Sequence, residues 1–271
     1  IDSLRRILLT SKHDTNKVHI LNKLGWRLRI QNPDTSLILV GQALDLAKEL
    51  RWKLGEATNE NLIGGIYSLL GNYEEAIAHD NRAVALCMQI MNREKKDSLR
   101  ACLIMGRTFS NLAVIFNDRA DYVNSLEHYL KAVKIMEKSR DSINYAYTLG
   151  NLAGLYSNIG ERKKALEFYH KALERARKNG DRRYEAKSLG NIGTNYYVRK
   201  ENAQALGYYR RALSLLDEAK DMRQQGITLG NIGCVHHEMR DYDSAIWYFS
   251  KALSIAQKSN DQNSIAMWCA D

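Results

Sequence analysis

Apolar residues recur at spacings of three and four along almost the whole chain. One such stretch holds Leu189, Ile192 and Tyr196, and a second follows at residues 206–213. This spacing predicts amphipathic helices that each bury one face. Proline disrupts helix interiors, and Pro33 is the single proline among the 271 residues. The pattern therefore predicts an all-α fold with a turn at this proline.

The apolar pattern repeats every 40 residues in the C-terminal part of the chain, and small residues mark the repeat at two positions. The first position holds Ser125, Ala165, Ala205 and Ala245, and the second holds Ala132, Ala172, Ala212 and Ala252. Small side chains let two helices approach to roughly 8–10 Å. Each repeat is therefore predicted to be an antiparallel helical hairpin, and the fixed period predicts a solenoid.

Weaker copies of the small-residue pair, Ala76 with Ala83 and Ser36 with Ala43, raise the number of predicted repeats to six. The repeats are predicted at 15–54, 55–92, 100–140, 141–180, 181–220 and 221–260, followed by a partial seventh at 261–271. We expect one solenoid domain over residues 1–271, as a fragment of a larger protein. Nine extra residues between Val84 and Ser110 break the period.

Aspartates keep the same period just before apolar stretches, where a carboxylate can accept an N–H bond from the first turn of a helix. These predicted helix caps are Asp141, Asp181, Asp221 and Asp261.

The segment 149–172, LGNLAGLYSNIGERKKALEFYHKA, resembles the tetratricopeptide repeat family. Its large, small and aromatic positions are matched by Leu152, Ala153 and Tyr156 on the first helix and by Ala165, Tyr169 and Ala172 on the second. The resemblance implies a right-handed superhelical solenoid of antiparallel hairpins, in which the first helix of each hairpin lines an inner groove. The repeat of 40 residues exceeds the family's usual length of roughly 34.

Asparagine recurs at the 40-residue step at Asn111, Asn151, Asn191 and Asn231, although its side chain competes with the helix backbone. Three of these belong to a Leu-Gly-Asn tripeptide. The tripeptide looks like that of spindle-orientation adaptors and is similar to the Asn-bearing helices of kinesin light chains, both of which bind extended peptides. The resemblance implies a ladder of amides that holds a peptide backbone. Alternatively, each Asn bonds its neighbouring helix and fixes repeat stacking.

Helical phase places residues that follow each Asn on the same face, and this face is polar and weakly charged. The predicted peptide-binding residues are Asn111, Asn117, Asn151, Asn158, Asn191, Tyr197, Asn231 and His237. Amides both donate and accept hydrogen bonds, which suits an extended or helical peptide.

Catalytic and metal-binding motifs do not emerge from the sequence. His236 and His237 are adjacent, but neither belongs to an HExxH motif, and no GxSxG motif or phosphate-binding glycine loop is present. His236 falls in the aromatic core slot of its repeat. The four cysteines, Cys87, Cys102, Cys234 and Cys269, are scattered and predicted to be buried thiols. We expect a non-enzyme without cofactor or metal, in a compartment that the cysteines leave open.

The formal net charge is +9, from 40 Lys and Arg against 31 Asp and Glu. The basic residues lie mainly at predicted helix ends and are mixed with acids, so a solvated rim is favoured over a nucleic-acid surface. No apolar run approaches the roughly 18 residues of a membrane span. The expected partner is therefore a protein or peptide, with no nucleic acid and no membrane contact within this chain. The apolar Met267 and Trp268 allow a homodimer through the C-terminal end.

The N-terminal part is similar to bacterial sensor proteins in which 40-residue tetratricopeptide repeats precede a transmembrane helix and an output domain. The matching residues are Asp14, Thr15, Asn16, Lys17, Asn32, Pro33 and Asp34. The resemblance implies a regulatory input region on the cytoplasmic or periplasmic side of a bacterial membrane protein. A free-standing scaffold or assembly adaptor, and a nucleic-acid-binding helical repeat, are the alternatives.

Overall fold

A computed structural model describes residues 8, 11–93, 96–137 and 142–258. In this part of the chain there are twelve α-helices and no β-strand. The predicted all-α fold of antiparallel hairpins is confirmed. The chain divides into two compact units, residues 1–144 (unit 1) and residues 145–271 (unit 2).

Unit 1 contains three helical hairpins. Its helices are α1 Thr15–Leu28, α2 Pro33–Glu49, α3 Lys53–Leu69, α4 Tyr73–Arg93, α5 Ser98–Asp118 and α6 Tyr122–Glu137. Each odd-numbered helix packs against the helix that follows it, and α5 also packs against α3 and α4. Successive hairpins of this unit therefore bury one another, as a stack of repeats requires.

Unit 2 contains the next three hairpins. Its helices are α7 Ser142–Asn158, which begins three residues before the division, α8 Arg162–Lys178, α9 Arg182–Val198, α10 Asn202–Ala219, α11 Met222–Glu238 and α12 Tyr242–Lys258. The helices α9 and α10 form one hairpin, and α11 packs against both of them. The six observed hairpins agree with the six predicted repeats.

The small residues that mark the repeat lie at the helix crossings, as predicted. Ala76, Ala132, Ala165 and Ala212 are completely buried. Serine replaces alanine at Ser36 and Ser125, and each hydroxyl donates a 2.7 Å hydrogen bond to a carbonyl of the preceding helix. The small side chain thus permits close approach, and the hydroxyl is satisfied despite its burial.

A stacked pair of rings joins the two helices of several hairpins. The stacked pairs, with ring centroids 5.3–5.4 Å apart, are Tyr67 with His79, Tyr156 with Phe168, Tyr196 with Tyr208, and His236 with Tyr248. His236 therefore occupies the aromatic core slot of its repeat, as its position in the sequence predicts.

Two of the four predicted aspartate caps are confirmed. The side chain of Asp181 accepts a hydrogen bond from the backbone N–H of Tyr184, and that of Asp221 accepts one from Gln224. The other two, Asp141 and Asp261, lie outside the described residues.

The nine-residue insertion lengthens two helices. Both α4 and α5 contain 21 residues, whereas α3, α7, α9 and α11 contain 17 each. Of the helices described, α5 is long and apolar enough to cross a membrane by length and composition. Its apolar side chains pack against α3, α4 and α6, which accounts for this composition within the hairpin stack.

The predicted partial repeat at 261–271, including Met267, Trp268 and Cys269, lies outside the described residues. The predicted homodimer contact at the C-terminal end depends on these residues and stays a prediction. The same holds for a single domain over residues 1–271.

Candidate functional site

Three asparagines of unit 2 lie at the same position of three first helices, Asn151 on α7, Asn191 on α9 and Asn231 on α11. We refer to them as the asparagine row. All three are half-buried. Within the described part of the chain, none of their side-chain amides has a hydrogen-bond partner. These amides are accordingly available to bond a ligand, which favours the peptide-binding interpretation over repeat stacking in unit 2.

A polar cleft of about 370 Å³ begins at Asn151 and extends over the first helices of unit 2. Tyr147 and Tyr184 form its aromatic wall, edge to face with ring centroids 4.2 Å apart. The hydroxyl of Tyr147 donates a 2.8 Å hydrogen bond to Asp181. Burial, and then this carboxylate, raise the pKa of Tyr147 to about 12. The tyrosine therefore keeps its proton at neutral pH, and the wall is uncharged.

Two cations, Arg183 and Lys187, line the same cleft on α9. Arg183 lies 3.9 Å from the carboxylate of Asp221, and the ammonium of Lys187 lies 5.9 Å from the centroid of the Tyr184 ring. Among the described residues, neither cation is held by a short ion pair. The cleft thus combines amide and aromatic groups with two cations and the carboxylate of Asp221, so cations outnumber acids among its lining residues.

The remaining predicted residues of unit 2 lie towards the C-terminal ends of the first helices. Tyr197 is hydrogen-bonded to Glu238, and burial first, followed by Cys234 and Glu238, raises its pKa. His237 is exposed and meets Tyr242 edge to face at 5.6 Å. Asn158 is exposed but already interacts within the protein. As binding residues these three stay predictions.

The glycines of two identical tripeptides have different surroundings. A methyl group at Gly150 would lie 2.1 Å from the hydroxyl oxygen of Tyr184, whereas one at Gly190 would meet no atom within 4 Å. Gly150 therefore makes room for the aromatic wall of the cleft. Gly190, next to the unpaired Asn191, leaves open space for a ligand.

We expect Gly150→Ala to be less stable than Gly190→Ala by about 1–3 kcal/mol, because Tyr184 must move to admit the methyl group. Both substitutions gain the same helix propensity, about 1 kcal/mol. Urea unfolding of the two variants measures the difference. Equal stabilities would show that Tyr184 adapts at no cost.

In unit 1 the corresponding asparagine has a partner. Asn111 on α5 and Asn61 on α3 both bond the side chain of Asp80 on α4, with Asn61 Nδ2 at 3.3 Å from Asp80 Oδ1. Asp80 is completely buried, and its Oδ2 has no hydrogen-bond partner among the described residues. Burial raises the pKa of Asp80 well above its usual range, although both amide hydrogen bonds lower it. Asn111 thus contacts the neighbouring hairpin, as the stacking alternative proposes.

Asp80 occupies a position that holds an aromatic residue in the next four hairpins. It lies four residues after the small residue of its helix, where the others have Tyr129, Tyr169, Tyr209 and Phe249. A methyl group at Gly64 would lie 2.7 Å from Asp80, and one at Gly193 would lie 2.8 Å from the ring of Tyr209, so both side chains fill the same place. The second hairpin of unit 1 therefore has a carboxylate with two bonded amides where the next four hairpins have a ring.

A cleft of about 570 Å³ lies over these amides in unit 1. First helices and the residue after α1 line it, namely Trp26, Arg29, Asn61, Leu62, Gly65, Ser68, Leu69, Arg107, Asn111, Val114 and Asn144. Asn111 thus lines a cleft, and its role in peptide binding stays a prediction. Asn117, six residues further along α5, is not among the lining residues and interacts within the protein.

Sequence reasoning missed the part of each face that precedes the asparagine. Arg107, Tyr147 and Lys187 lie four residues before Asn111, Asn151 and Asn191, one turn along the same helix face. The predicted binding face includes only the residues that follow each Asn. Because those residues are mostly uncharged, the sequence predicts a weakly charged face. The helical phase that selects the residues after each asparagine also selects these three residues before it.

In the described residues, no group of three or more His, Cys, Asp or Glu could hold a metal ion.

Family models described as Tetratricopeptide repeat match residues 104–178, 146–219 and 184–258, and a further one matches residues 61–87. No curated protein matches the sequence significantly.

Several solved structures have a similar fold. A Signal Transduction ATPase with Numerous Domains protein with a tetratricopeptide repeat sensor, from Pyrococcus horikoshii, is 16% identical with a TM-score of 0.75, over 96% of this chain and 38% of that one. BtubC (BKLC) from P. vanneervenii is 18% identical with a TM-score of 0.65, over 95% of this chain and 92% of that one. A Rap protein complexed with Competence and Sporulation Factor is 15% identical with a TM-score of 0.64, over 94% of this chain and 80% of that one.

The first set of family matches runs without a gap from residue 104 to residue 258, which is more than half of the 271 residues. The hairpins, the buried small residues and the 40-residue period agree with these matches. The chain belongs to the tetratricopeptide repeat family.

Proposed function

We propose that this protein binds a peptide or protein segment on the first-helix face of unit 2, and that the asparagine row bonds the ligand backbone. The observation that carries the proposal is that Asn151, Asn191 and Asn231 are half-buried and unpaired within the described residues. Asparagine lowers helix propensity, so three unpaired copies in equivalent positions need a compensating role. Hydrogen bonds to a ligand backbone supply one.

The proposed role is regulatory, and the chain is the non-catalytic input region of a bacterial signalling protein. Solved relatives support this role, since one has a tetratricopeptide repeat sensor and another is complexed with Competence and Sporulation Factor. The sensor protein is much longer than this chain, which spans 38% of it. A free-standing scaffold or assembly adaptor is the alternative, and BtubC, which matches along 92% of its own length, is a chain of similar length with this fold.

We expect the triple variant Asn151→Ala, Asn191→Ala, Asn231→Ala to lose about tenfold or more in peptide affinity, because each lost hydrogen bond contributes roughly 0.5–1.5 kcal/mol. The test selects peptides from a random display library on the full chain and then measures their affinities by calorimetry. The control variant, Gln204→Ala with Gln257→Ala, removes exposed amides from second helices and should bind normally.

Thermal unfolding of the triple variant separates the two interpretations of the row. We expect it to melt at or slightly above the temperature of the parent, because these amides have no partner among the described residues and alanine has the higher helix propensity. A large fall in melting temperature with unchanged affinity for the selected peptides would contradict the proposal and favour repeat stacking.

A further inference from the structure

The cleft of unit 1 has apolar and cationic walls. Its apolar side chains are Trp26, Leu62, Leu69 and Val114, and its charged side chains are Arg29 and Arg107. No acidic residue is among these lining residues. Trp26 and Leu69 are 51% and 60% exposed, so the apolar surface is open to solvent. This combination favours a ligand with both an apolar and an anionic part.

Arg29 is held in place over the rim of the cleft. Its guanidinium carbon lies 3.6 Å from the centroid of the Trp26 ring, and Nη1 donates a 2.6 Å hydrogen bond to the carbonyl of Trp26. A guanidinium has five N–H donors in a rigid plane, so further donors remain after this bond. Pre-organised arginine suits a carboxylate, which it can bind with two parallel hydrogen bonds.

Asp80 orients two amides that line the cleft, those of Asn61 and Asn111. The amide of Asn61 directs Nδ2 to Asp80 Oδ1, and the hydrogen bond from Asn111 likewise favours the charged carboxylate. With the N–H groups directed to Asp80, the carbonyl oxygens of the two amides remain to accept hydrogen bonds. A peptide N–H is the matching donor. Unit 1 thus differs from the asparagine row, whose amides have no such buried anchor.

We propose that this cleft binds a peptide segment in which a large apolar side chain adjoins a carboxylate. The apolar side chain lies against Trp26 and Leu69, and the carboxylate pairs with Arg29 and Arg107. The volume of about 570 Å³ is within the range of ligand sites, roughly 300–1,000 Å³. The inference extends the proposed function, because it adds a second site, in unit 1, and a chemical class of ligand.

Three short fluorescent peptides test the ligand class against the full chain by fluorescence anisotropy. The first alternates glutamate and leucine, the second lysine and leucine, and the third glutamate and serine. We expect the glutamate–leucine peptide to bind about tenfold more tightly than either of the others, since it alone offers both chemistries. Equal affinities for the first and second peptides, or for the first and third, would overturn the proposal.

Variants locate the site. Arg29→Gln with Arg107→Gln is expected to weaken the glutamate–leucine peptide by about tenfold or more, because both charged donors are lost. The control Arg93→Gln removes one positive charge from the exposed end of α4 and should have little effect. Circular dichroism checks that the double variant is folded. An equal loss in the control would show that only net charge matters and would overturn the proposal.

Leu69→Glu gives a readout that does not depend on removing an arginine. Leu69 is 60% exposed, so the fold tolerates the change. We expect this variant to prefer the lysine–leucine peptide, because an acidic residue then stands at the rim. The asparagine-row variant should bind the glutamate–leucine peptide normally. If it alone lost this binding, the peptide site would lie in unit 2, which would overturn this inference and support the proposed function.

Discussion

Tyr209→Ala is expected to lower the free energy of unfolding by about 3–5 kcal/mol, the usual cost of removing a buried aromatic side chain. Tyr209 is 1% exposed, and its ring fills the space beside Gly193. Its hydroxyl oxygen lies 3.0 Å from Thr194 Oγ1, so the polar end is satisfied as well. The substitution therefore leaves a cavity between α9 and α10, while the Thr194 hydroxyl keeps its hydrogen bond to the Gly190 carbonyl.

Urea unfolding followed by circular dichroism measures this loss, and Tyr208→Ala is the matched control. Tyr208 is half-buried and stacks on Tyr196 at 5.4 Å. Its loss should cost clearly less than that of Tyr209, because the ring is only half-buried and its aromatic pair contributes about 0.5–1.5 kcal/mol beyond the buried area. Hydrogen exchange should place the destabilisation by Tyr209→Ala in unit 2. If the two variants unfolded at the same urea concentration, the core of this hairpin would not depend on the aromatic slot.

The hairpins could be predicted from the sequence because their physical requirements are local and repeated. A crossing needs a small residue, so Ala165 and Ala172 mark one wherever they recur. A side-chain acceptor stabilises a helix start, so Asp181 and Asp221 mark two of them. The nine-residue insertion gave no such signal, since extra residues fit either a loop or longer helices. The structure assigns them to α4 and α5, both 21 residues long.

The recurrence of asparagine is predictable for the same reason, but the hydrogen-bond partner of Asn111 is not. Asn111 and Asn151 occupy equivalent positions of the repeat, and only the structure shows that Asn111 bonds Asp80. That contact joins residues far apart along the chain. The contact forms because the hairpin that precedes Asn111 carries Asp80. Asp80 itself departs from an aromatic position, and this departure is a sequence signal that a comparison of second helices would have found.

The two clefts add residues that precede each asparagine along its helix to the predicted face. The face of a first helix that carries the asparagine continues on both sides of it, so Arg107 and Tyr147 belong to the same face as Asn111 and Asn151. Including them changes the expected ligand, because a polar and weakly charged face becomes one with cationic groups. This is the basis for the acidic residues in the peptide proposed for unit 1.

The stability of the wild-type protein relative to Asp80→Asn is expected to depend on pH. Burial raises the pKa of Asp80 above its value in the unfolded chain, so the folded protein retains a proton that the unfolded chain has lost. Stability from this group is fully present below the unfolded pKa and is lost as the pH rises through the folded pKa. Between the two values, the difference in unfolding free energy should fall by about 1.4 kcal/mol per pH unit.

Urea unfolding of both proteins across a pH series measures this slope, and Asp121→Asn is the control with the opposite sign. Hydrogen bonds from Asn124 lower the pKa of Asp121, so its contribution to stability should appear as the pH rises and be lost in acid. A flat or rising difference for Asp80 would mean that the hydrogen bonds from Asn61 and Asn111 outweigh burial. A falling difference would show that desolvation destabilises the carboxylate to which these two cleft amides are bonded. Asp80 would then lower the stability of the fold, and orienting the two amides would be its compensating role.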